Sequence, residues 1–334
     1  MLEVKAAVTR RGAILLGGNF TVDGHSLRPV RVVTHIHSDH LVDLEKSIRE
    51  SMLVAGTTYT IELLEILGYK VHEAKTLPLE YWKPVELMGE KLTLIPSNHI
   101  VGSCQVTVEG PGYRVGYTGD FKMPNTPPMR DLDVLVIDAT YGSPRLQRRW
   151  SDWDAMAALI SLIEESIKKG PVTIYAYHGK IQEIMAELRI RGIREPFIAD
   201  QKTIKIARVA EKFYNISLDP LKKHTEHDAG EEPSIIFKHA NNNKGNHKTG
   251  THIILTGWEL RAPLVKITEN TYNVGFSDHA TFKEIIEYVR EAKPRKVIVD
   301  STRGKDTRIT AKYIEKTGNT GHRQDNTLSR PEKH

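Results

Sequence analysis

Short apolar runs bounded by glycine, proline or asparagine fill the first half of the chain, and each has the length of a strand rather than a helix. Residues 13–16, 30–33, 52–54, 91–95, 105–108, 113–117 and 134–137 read this way, with one helical segment at 59–67 among them. From about Asp152 the rhythm changes. A helix runs to Lys168, a strand covers 172–177, and helices follow over 181–191 and 202–213. Strand and helix in alternation predict a parallel-sheet unit of its own. The polar stretch 224–250 reads as a loop region around one strand at 234–237. After it come a strand at 252–256, an amphipathic helix at 281–291 and a strand at 296–299. The last residues, 319–334, are polar and predicted to be disordered. No internal repeat is present.

One loop breaks this pattern. THIHSDH sets His35, His37, Asp39 and His40 within six residues, directly after the strand-like Arg31-Val32-Val33-Thr34. In extended backbone residues i and i+2 point the same way, so His35 and His37 can grip one ion. The tighter turn that follows can swing Asp39 and His40 toward a second. Imidazole with carboxylate suits Zn(II) first, with Mn(II), Fe(II) or Mg(II) as alternatives.

Further candidates stand at strand ends. His99 follows an apolar run in PSNHIVGS, and Asp120 follows another in YTGDF, each with glycine nearby to let backbone approach. In the second half, Gly179 and Lys180 sit where a strand meets a helix N-terminus. Backbone N–H groups, the helix dipole and an ammonium could together receive a terminal 5′-phosphate there, or Lys180 is simply a solvent-facing helix start. His178 reads as a strand-end histidine. Tyr141 is expected to pack or hydrogen-bond beside the site, and Trp258 to belong to the core, with stacking on a base as its alternative. His25, His72, His224, His227, His239, His247, His252 and His322 lie away from these motifs and are read as non-ligands.

Composition narrows the class. The chain has 334 residues, 39% of them apolar, enough for one large core or two smaller ones. No apolar run approaches the roughly 18–20 residues that cross a bilayer, and MLEVKAAVTRRG has no signal-peptide pattern, so a cytoplasmic protein without a membrane partner is expected. The single Cys104 excludes an internal disulfide and a thiolate-rich zinc site. A formal charge of +5 and a pI near 9.0 favour a polyanionic partner, with local basic groups at Arg145, Arg148 and Arg149 and between Lys238 and Lys248.

HxHxDH, a later histidine, TGD and a distant SDH together resemble the metallo-β-lactamase fold in its nucleic-acid-processing branch, the β-CASP family. The resemblance runs through about residues 13 to 302. It implies an α/β protein, a metallo-β-lactamase αββα sandwich with an inserted α/β β-CASP domain. The core would occupy 1–150 and 266–318, the insert 151–265, and a tail 319–334. YAYHGKIQEIMAEL resembles the start of the family's insert, and TGWEL before VGFSDHA its return to the core. By likeness, His35, His37 and His99 would bind one divalent metal and Asp39, His40 and His279 another, with Asp120 bridging. Asp23 matches an acidic position that orients the histidine loop, and Asp138 one that pairs with the histidine at His279.

The resemblance is nearest to the Artemis-type DNA-repair nucleases. The RNA-cleaving branch, similar to the polyadenylation endonuclease and ribonuclease J, usually carries another histidine after the last strand. Here that strand ends Val-Asp300-Ser301. The expectation is therefore a two-metal zinc phosphodiesterase, a 5′-to-3′ exonuclease that takes single-stranded DNA in preference to RNA, in DNA repair or RNA processing. Two metals roughly 3.5–4 Å apart could activate a water for in-line attack. Asp39 would orient it, and His279, supported by Asp138, would contact the phosphate or assist the leaving oxygen, unless it is a metal ligand instead. An RNA-processing endo- or exoribonuclease, a hydrolase of small esters, thioesters or lactones, and a metal-free nucleic-acid-binding relative are the other readings.

Overall fold

Val134–Ile137 is apolar at all four positions because both faces of the strand are covered. Val134 and Val136 enter one core layer with Val106, Val115 and Tyr117, whereas Leu135 and Ile137 enter another with Ile285 and Val289. Lys296–Val299 repeats the alternation, with Ile298 in the first layer and Val297 and Val299 in the second. The computed structural model describes residues 5–224, 233–243, 245, 249–317 and 320–322. These divide into a unit of residues 1–65, 69–147 and 279–334 and a second of 66–68 and 148–278.

In the first unit one sheet runs, in spatial order, Ala6–Val8, Ile14–Leu16, Phe20–Val22, Val30–Val32, Leu53–Thr57, Thr76–Leu79. Its first three strands are antiparallel neighbours and the rest pair in parallel. The other sheet runs Thr320–His322, Lys296–Val299, Val134–Ile137, Tyr113–Tyr117, Cys104–Gly110, Glu90–Pro96, Val85–Leu87. Inward residues of both sheets share one core, and the helix Phe282–Ala292 covers the outer face of the second. That helix starts cleanly because Thr281 and Glu284 form a reciprocal capping box. The layered αββα sandwich expected from the resemblance is thus the architecture of this unit.

Thr307–Lys316 is a helix that the hydrophobic pattern does not announce. Its buried face is Thr307, Thr310, Ala311 and Ile314, so two of the four inward positions are polar. Thr310 Oγ1 donates to the Gly142 carbonyl at 2.9 Å, which makes that burial tolerable. Thr320–His322 falls inside the stretch expected to be disordered, yet its backbone pairs in parallel with Lys296–Val299. The rest of 319–334 lies outside the described residues.

The second unit holds a seven-stranded sheet in the order Leu221–Lys223, Phe197–Ala199, Ile235–His239, Val172–Ala176, Thr251–Leu255, Thr271–Val274, Leu264–Lys266. All neighbours are parallel except the last pair. The helices Asp152–Ser166 and Lys180–Ile190 pack on its apolar faces. Thr271–Val274 belongs to this sheet although the core was expected to resume at 266. Among the described residues no helix is long and apolar enough to cross a membrane.

Candidate metal centre

The strand Val30–Val32 delivers the histidine loop to one edge of the sandwich, and Asp23 organises that loop from beneath. Asp23 stands in the left-handed region, φ 51°, which aspartate tolerates better than most residues, and is fully buried. Its Oδ1 accepts from the Thr34 backbone N–H at 2.8 Å, and its Oδ2 accepts from Thr34 Oγ1 at 2.6 Å and His40 Nδ1 at 2.8 Å. A carboxylate only accepts, so the Thr34 hydroxyl hydrogen is committed to Asp23. The contact between Thr34 Oγ1 and His35 Nδ1, 3.0 Å, must then be donated by the imidazole. In their neutral, ligating forms both His35 and His40 therefore carry the proton on Nδ1 and present the Nε2 lone pair to the site.

Asp120 receives those rings. Gly119, at φ 56°, lets the chain turn where a Cβ would lie 2.9 Å from the Cys104 carbonyl, and Ser97 Oγ donates to the Asp120 carbonyl at 3.0 Å. Asp120 Oδ1 lies 3.2 Å from His40 Nε2, and Oδ2 lies 3.5 Å from His35 Nε2, 3.5 Å from His99 Nε2 and 3.7 Å from His279 Nδ1. His37 Nδ1 is 3.1 Å from His99 Nε2. Donor atoms of His35, His37, His99 and Asp120 lie within 4.8 Å of one another, as do those of Asp120, Asp138 and His279. Asp120 is common to both groups. Asp39 stands at the rim, 58% exposed, with Oδ2 3.6 Å from His40 Nε2. Asp138 is 3.7 Å from His279 Nδ1 and accepts from Thr140 Oγ1 at 3.0 Å.

Burial and neighbouring charge act on these groups in opposite directions. Burial, with His40 and His99 beside it, holds the His35 imidazole well below its ordinary pKa and so neutral. For His40 burial also disfavours the charge, but Asp120 and Asp23 outweigh it and raise the group to about 10. Burial would raise the Asp120 carboxyl, yet His40 and His279 hold it well below the carboxylate range. Burial and the adjacent Asp120 push Asp138 upward.

The arrangement fits a cation. His35 Nε2 is buried and makes no hydrogen bond, which costs about 1–3 kcal/mol, while His40 Nε2 and Asp120 Oδ1 are buried and face each other as an ion pair at 3.2 Å. A divalent ion would satisfy all three while displacing the proton that His40 otherwise holds. The donor set, imidazole and carboxylate, suits zinc.

The chain matches the Beta-lactamase superfamily domain over residues 15–178 and the Zn-dependent metallo-hydrolase RNA specificity domain over residues 265–323. The chain belongs to the β-CASP family. A β-CASP chain of this kind is similar, at 39% identity over 137 residues, to an uncharacterized protein of Acidianus ambivalens, covering 40% of this chain and 97% of that one. It is 25% identical over 320 residues to the DNA cross-link repair protein SNM1 of Arabidopsis thaliana, covering 85% of this chain and 64% of that one. It is 29% identical over 194 residues to the endoribonuclease ysh1 of Schizosaccharomyces pombe, covering 47% and 24%. The chain thus spans less than two thirds of the length of either of these two proteins. A crystal structure of a protein of unknown function from Enterococcus faecalis V583 superposes with a TM-score of 0.58 at 12% identity, over 82% of this chain and 75% of that one, which shows the shared fold.

Three residues of this β-CASP site escape sequence reasoning. Thr34 and Ser97 act through hydroxyls at ordinary loop positions and leave no pattern. Arg31 reads as part of an apolar strand, but it is fully buried and its Nη2 donates to the His40 carbonyl at 2.8 Å. Burial lowers its pKa to about 10. A lone arginine inside an otherwise apolar strand is the signal that points to it.

The two residues suggested for a 5′-phosphate lie in the insert. Gly179, at φ 92°, caps the helix Lys180–Ile190, and its N–H donates to Gln182 Oε1 at 2.7 Å. Lys180 is buried, its Nζ 3.0 Å from the Phe276 carbonyl and 3.3 Å from Asp278 Oδ2. Both are engaged within the insert. His178 packs against His239, with ring centroids 4.7 Å apart. Trp258 is 45% exposed rather than core. Tyr141 packs edge-on to His279, centroids 6.3 Å apart.

Proposed function

We propose that this protein is a metal-dependent nuclease that hydrolyses phosphodiester bonds in nucleic acid. The observation that carries the reading is the pair of His/Asp groups joined at Asp120, in a family whose named relatives include a DNA-repair protein and an endoribonuclease. His35, His37, His99 and Asp120 would hold one divalent ion, most simply Zn(II), with Mn(II) or Mg(II) as substitutes. Asp120, Asp39, His40, His279 and Asp138 surround a second position. Such ions, when bound, act as Lewis acids on the phosphate and lower the pKa of water.

The chain's own groups then divide the remaining work. Asp39, the exposed carboxylate of the loop, accepts a hydrogen bond from the attacking water and orients it in line with the scissile bond. His279, 24% exposed and backed by Asp138, is accessible to the leaving oxygen and can donate a proton to it. Asp23 keeps the loop imidazoles in the orientation that leaves Nε2 free.

Within this class we favour a 5′-to-3′ exonuclease on single-stranded DNA. Its support is Asp300 at the place where the RNA-cleaving branch usually carries a histidine. For Lys180 to receive a 5′-phosphate, the anion would have to replace Asp278 as its partner. The match of residues 265–323 to an RNA specificity domain favours RNA as the second reading.

End-labelled DNA and RNA of one sequence, each with a 5′-phosphate or a 5′-hydroxyl, test these readings together with Asp120→Ala as control. Stepwise release of mononucleotides that needs the phosphate is the expected outcome, and the DNA to RNA ratio assigns the branch. No cleavage of either polymer by zinc-loaded protein would refute the nuclease assignment.

A further inference from the structure

We infer that Arg303, seated on Asp300, is a positioning residue for the histidine loop. The inference rests on reading that loop as a metal site, and it accounts for two segments, TRRG near the N-terminus and VDSTRGK after the last long strand, that the proposed chemistry does not use.

The geometry is specific. The Arg303 side chain is 5% exposed and that of Asp300 1%, and the two pair at 2.9 Å through Nη1 and Oδ2. Asp300 Oδ1 accepts from the Thr302 backbone N–H at 2.8 Å and from Thr302 Oγ1 at 2.6 Å, so both carboxylate oxygens are occupied. Nη1 also donates to Thr302 Oγ1 at 3.4 Å, and Nε and Nη2 go to backbone carbonyls of three separate segments. Nη2 donates to Gly12 at 2.9 Å, to Asp23 at 2.8 Å and to Asp39 at 3.1 Å, and Nε donates to Asp39 at 3.2 Å. The carbonyls of Asp23 and Asp39, whose side chains sit beneath the histidine loop and at its rim, are therefore tied to one rigid plane. Arg31 holds the next carbonyl, that of His40. Two consecutive peptide oxygens of the loop end on two buried guanidinium groups.

Gly12 is part of the device. Its φ is 79°, and a Cβ there would lie 3.1 Å from Thr302 Oγ1 and 3.3 Å from Arg303 Nη2. A side chain would push the N-terminal segment off the arginine. Lysine cannot replace the fork, since one ammonium offers three donors from a single point and cannot span three carbonyls and a carboxylate at once. The position that carries a histidine in the RNA-cleaving branch is thus occupied here by the anchor of a backbone clamp. The clamp fixes where the Asp39 carboxylate stands relative to His40 and Asp120.

The test uses full-length protein stripped of metal, with Arg303→Lys and Asp300→Asn as variants. Zinc affinity is measured by competition with a chromophoric chelator, unfolding by urea without metal, and kcat and KM on the cleaved polymer. Arg303→Lys is expected to bind zinc roughly 10- to 100-fold more weakly, the usual consequence of losing a group that orients a ligand, and to lower kcat with KM little changed. Asp300→Asn, which retains an acceptor for Thr302, shifts both quantities in the same direction. If Arg303→Lys fails to fold, Asp300→Asn decides on the same readouts. Wild-type zinc affinity and kcat in a folded variant, with only the urea midpoint moved, would make Arg303 a structural staple and overturn the inference. A wild-type protein that binds zinc and cleaves nothing removes the nuclease assignment alone, because zinc affinity still judges the clamp.

Discussion

Asp23→Asn should impair two metal-facing imidazoles while leaving both histidines in place. In the native protein Asp23 Oδ2 accepts from Thr34 Oγ1 and His40 Nδ1, while Oδ1 accepts from the Thr34 N–H. An asparagine amide can keep its oxygen on the Thr34 N–H, but its NH2 then points at the hydroxyl and the imidazole. Thr34 Oγ1 must turn its hydrogen toward His35 Nδ1, and the neutral forms of both His35 and His40 then carry their proton on Nε2. Those are the nitrogens that face Asp120. Flipping the amide restores the tautomers but sets NH2 against a buried backbone N–H. Either way, recovering two ligating lone pairs costs about 1–3 kcal/mol, the worth of one buried unsatisfied donor, which is roughly a 5- to 150-fold loss of metal affinity. Competition of metal-stripped protein against a chromophoric chelator measures the affinity, and nitrogen-15 imidazole spectra report the tautomers. An Asp23→Asn variant with wild-type zinc affinity and protons still on Nδ1 would show that Asp23 does not set the ring states.

Asp120→Ala should reduce both zinc binding and nucleic-acid cleavage to background while the far-UV spectrum stays native, since the residue joins both groups of candidate ligands. Tyr288→Phe removes the hydroxyl that donates to Gln105 Oε1 and accepts from the Met129 N–H at 3.1 Å, so urea unfolding should show a loss of about 1–3 kcal/mol with the fold retained. Glu259 is held at about 2, chiefly by Arg261. Its folded-state pKa is depressed, so its contribution is complete above the unfolded value near 4.5 and fades as pH falls toward 2. Because Arg261 is 68% exposed, Glu259→Gln should cost only about 1 kcal/mol at neutral pH. The gap from wild type should close in acid, and a gap unchanged at the lowest measurable pH would disprove the linkage.

The candidate ligands are legible because their chemistry is dense in sequence. Four imidazole and carboxylate groups in six residues have no common structural explanation, and TGD and SDH extend the cluster through a resemblance. The strands are legible for a similar reason: Val134–Ile137 must be apolar throughout because it is covered on two faces. What escapes is polar burial. Arg31, Thr34 and Arg303 find their partners among backbone carbonyls and the carboxylates of Asp23 and Asp300, and no local pattern encodes a partner more than 250 residues away, as Arg303 is from Asp39. The helix Thr307–Lys316 hides because threonines occupy half its inward face. Lys180 at a helix start suggests a solvent-facing ammonium, but burial and the pairing with Asp278 follow only from tertiary packing.

The sandwich also imposes an order on biosynthesis. Every strand of the insert's sheet lies between Val172 and Val274, so that sheet can close as soon as its own residues have left the ribosome. The core cannot. Val134–Ile137 waits for Lys296–Val299 as its neighbour, and Leu135 and Ile137 wait for the helix Phe282–Ala292 to cover them. A nascent chain halted after the insert would expose an apolar sheet face and an unpaired edge, the features by which chaperones and proteases recognise unfinished proteins. His279 and Arg303 arrive with the segment that completes the core. The centre is therefore assembled only in a chain that has been made at least as far as Arg303.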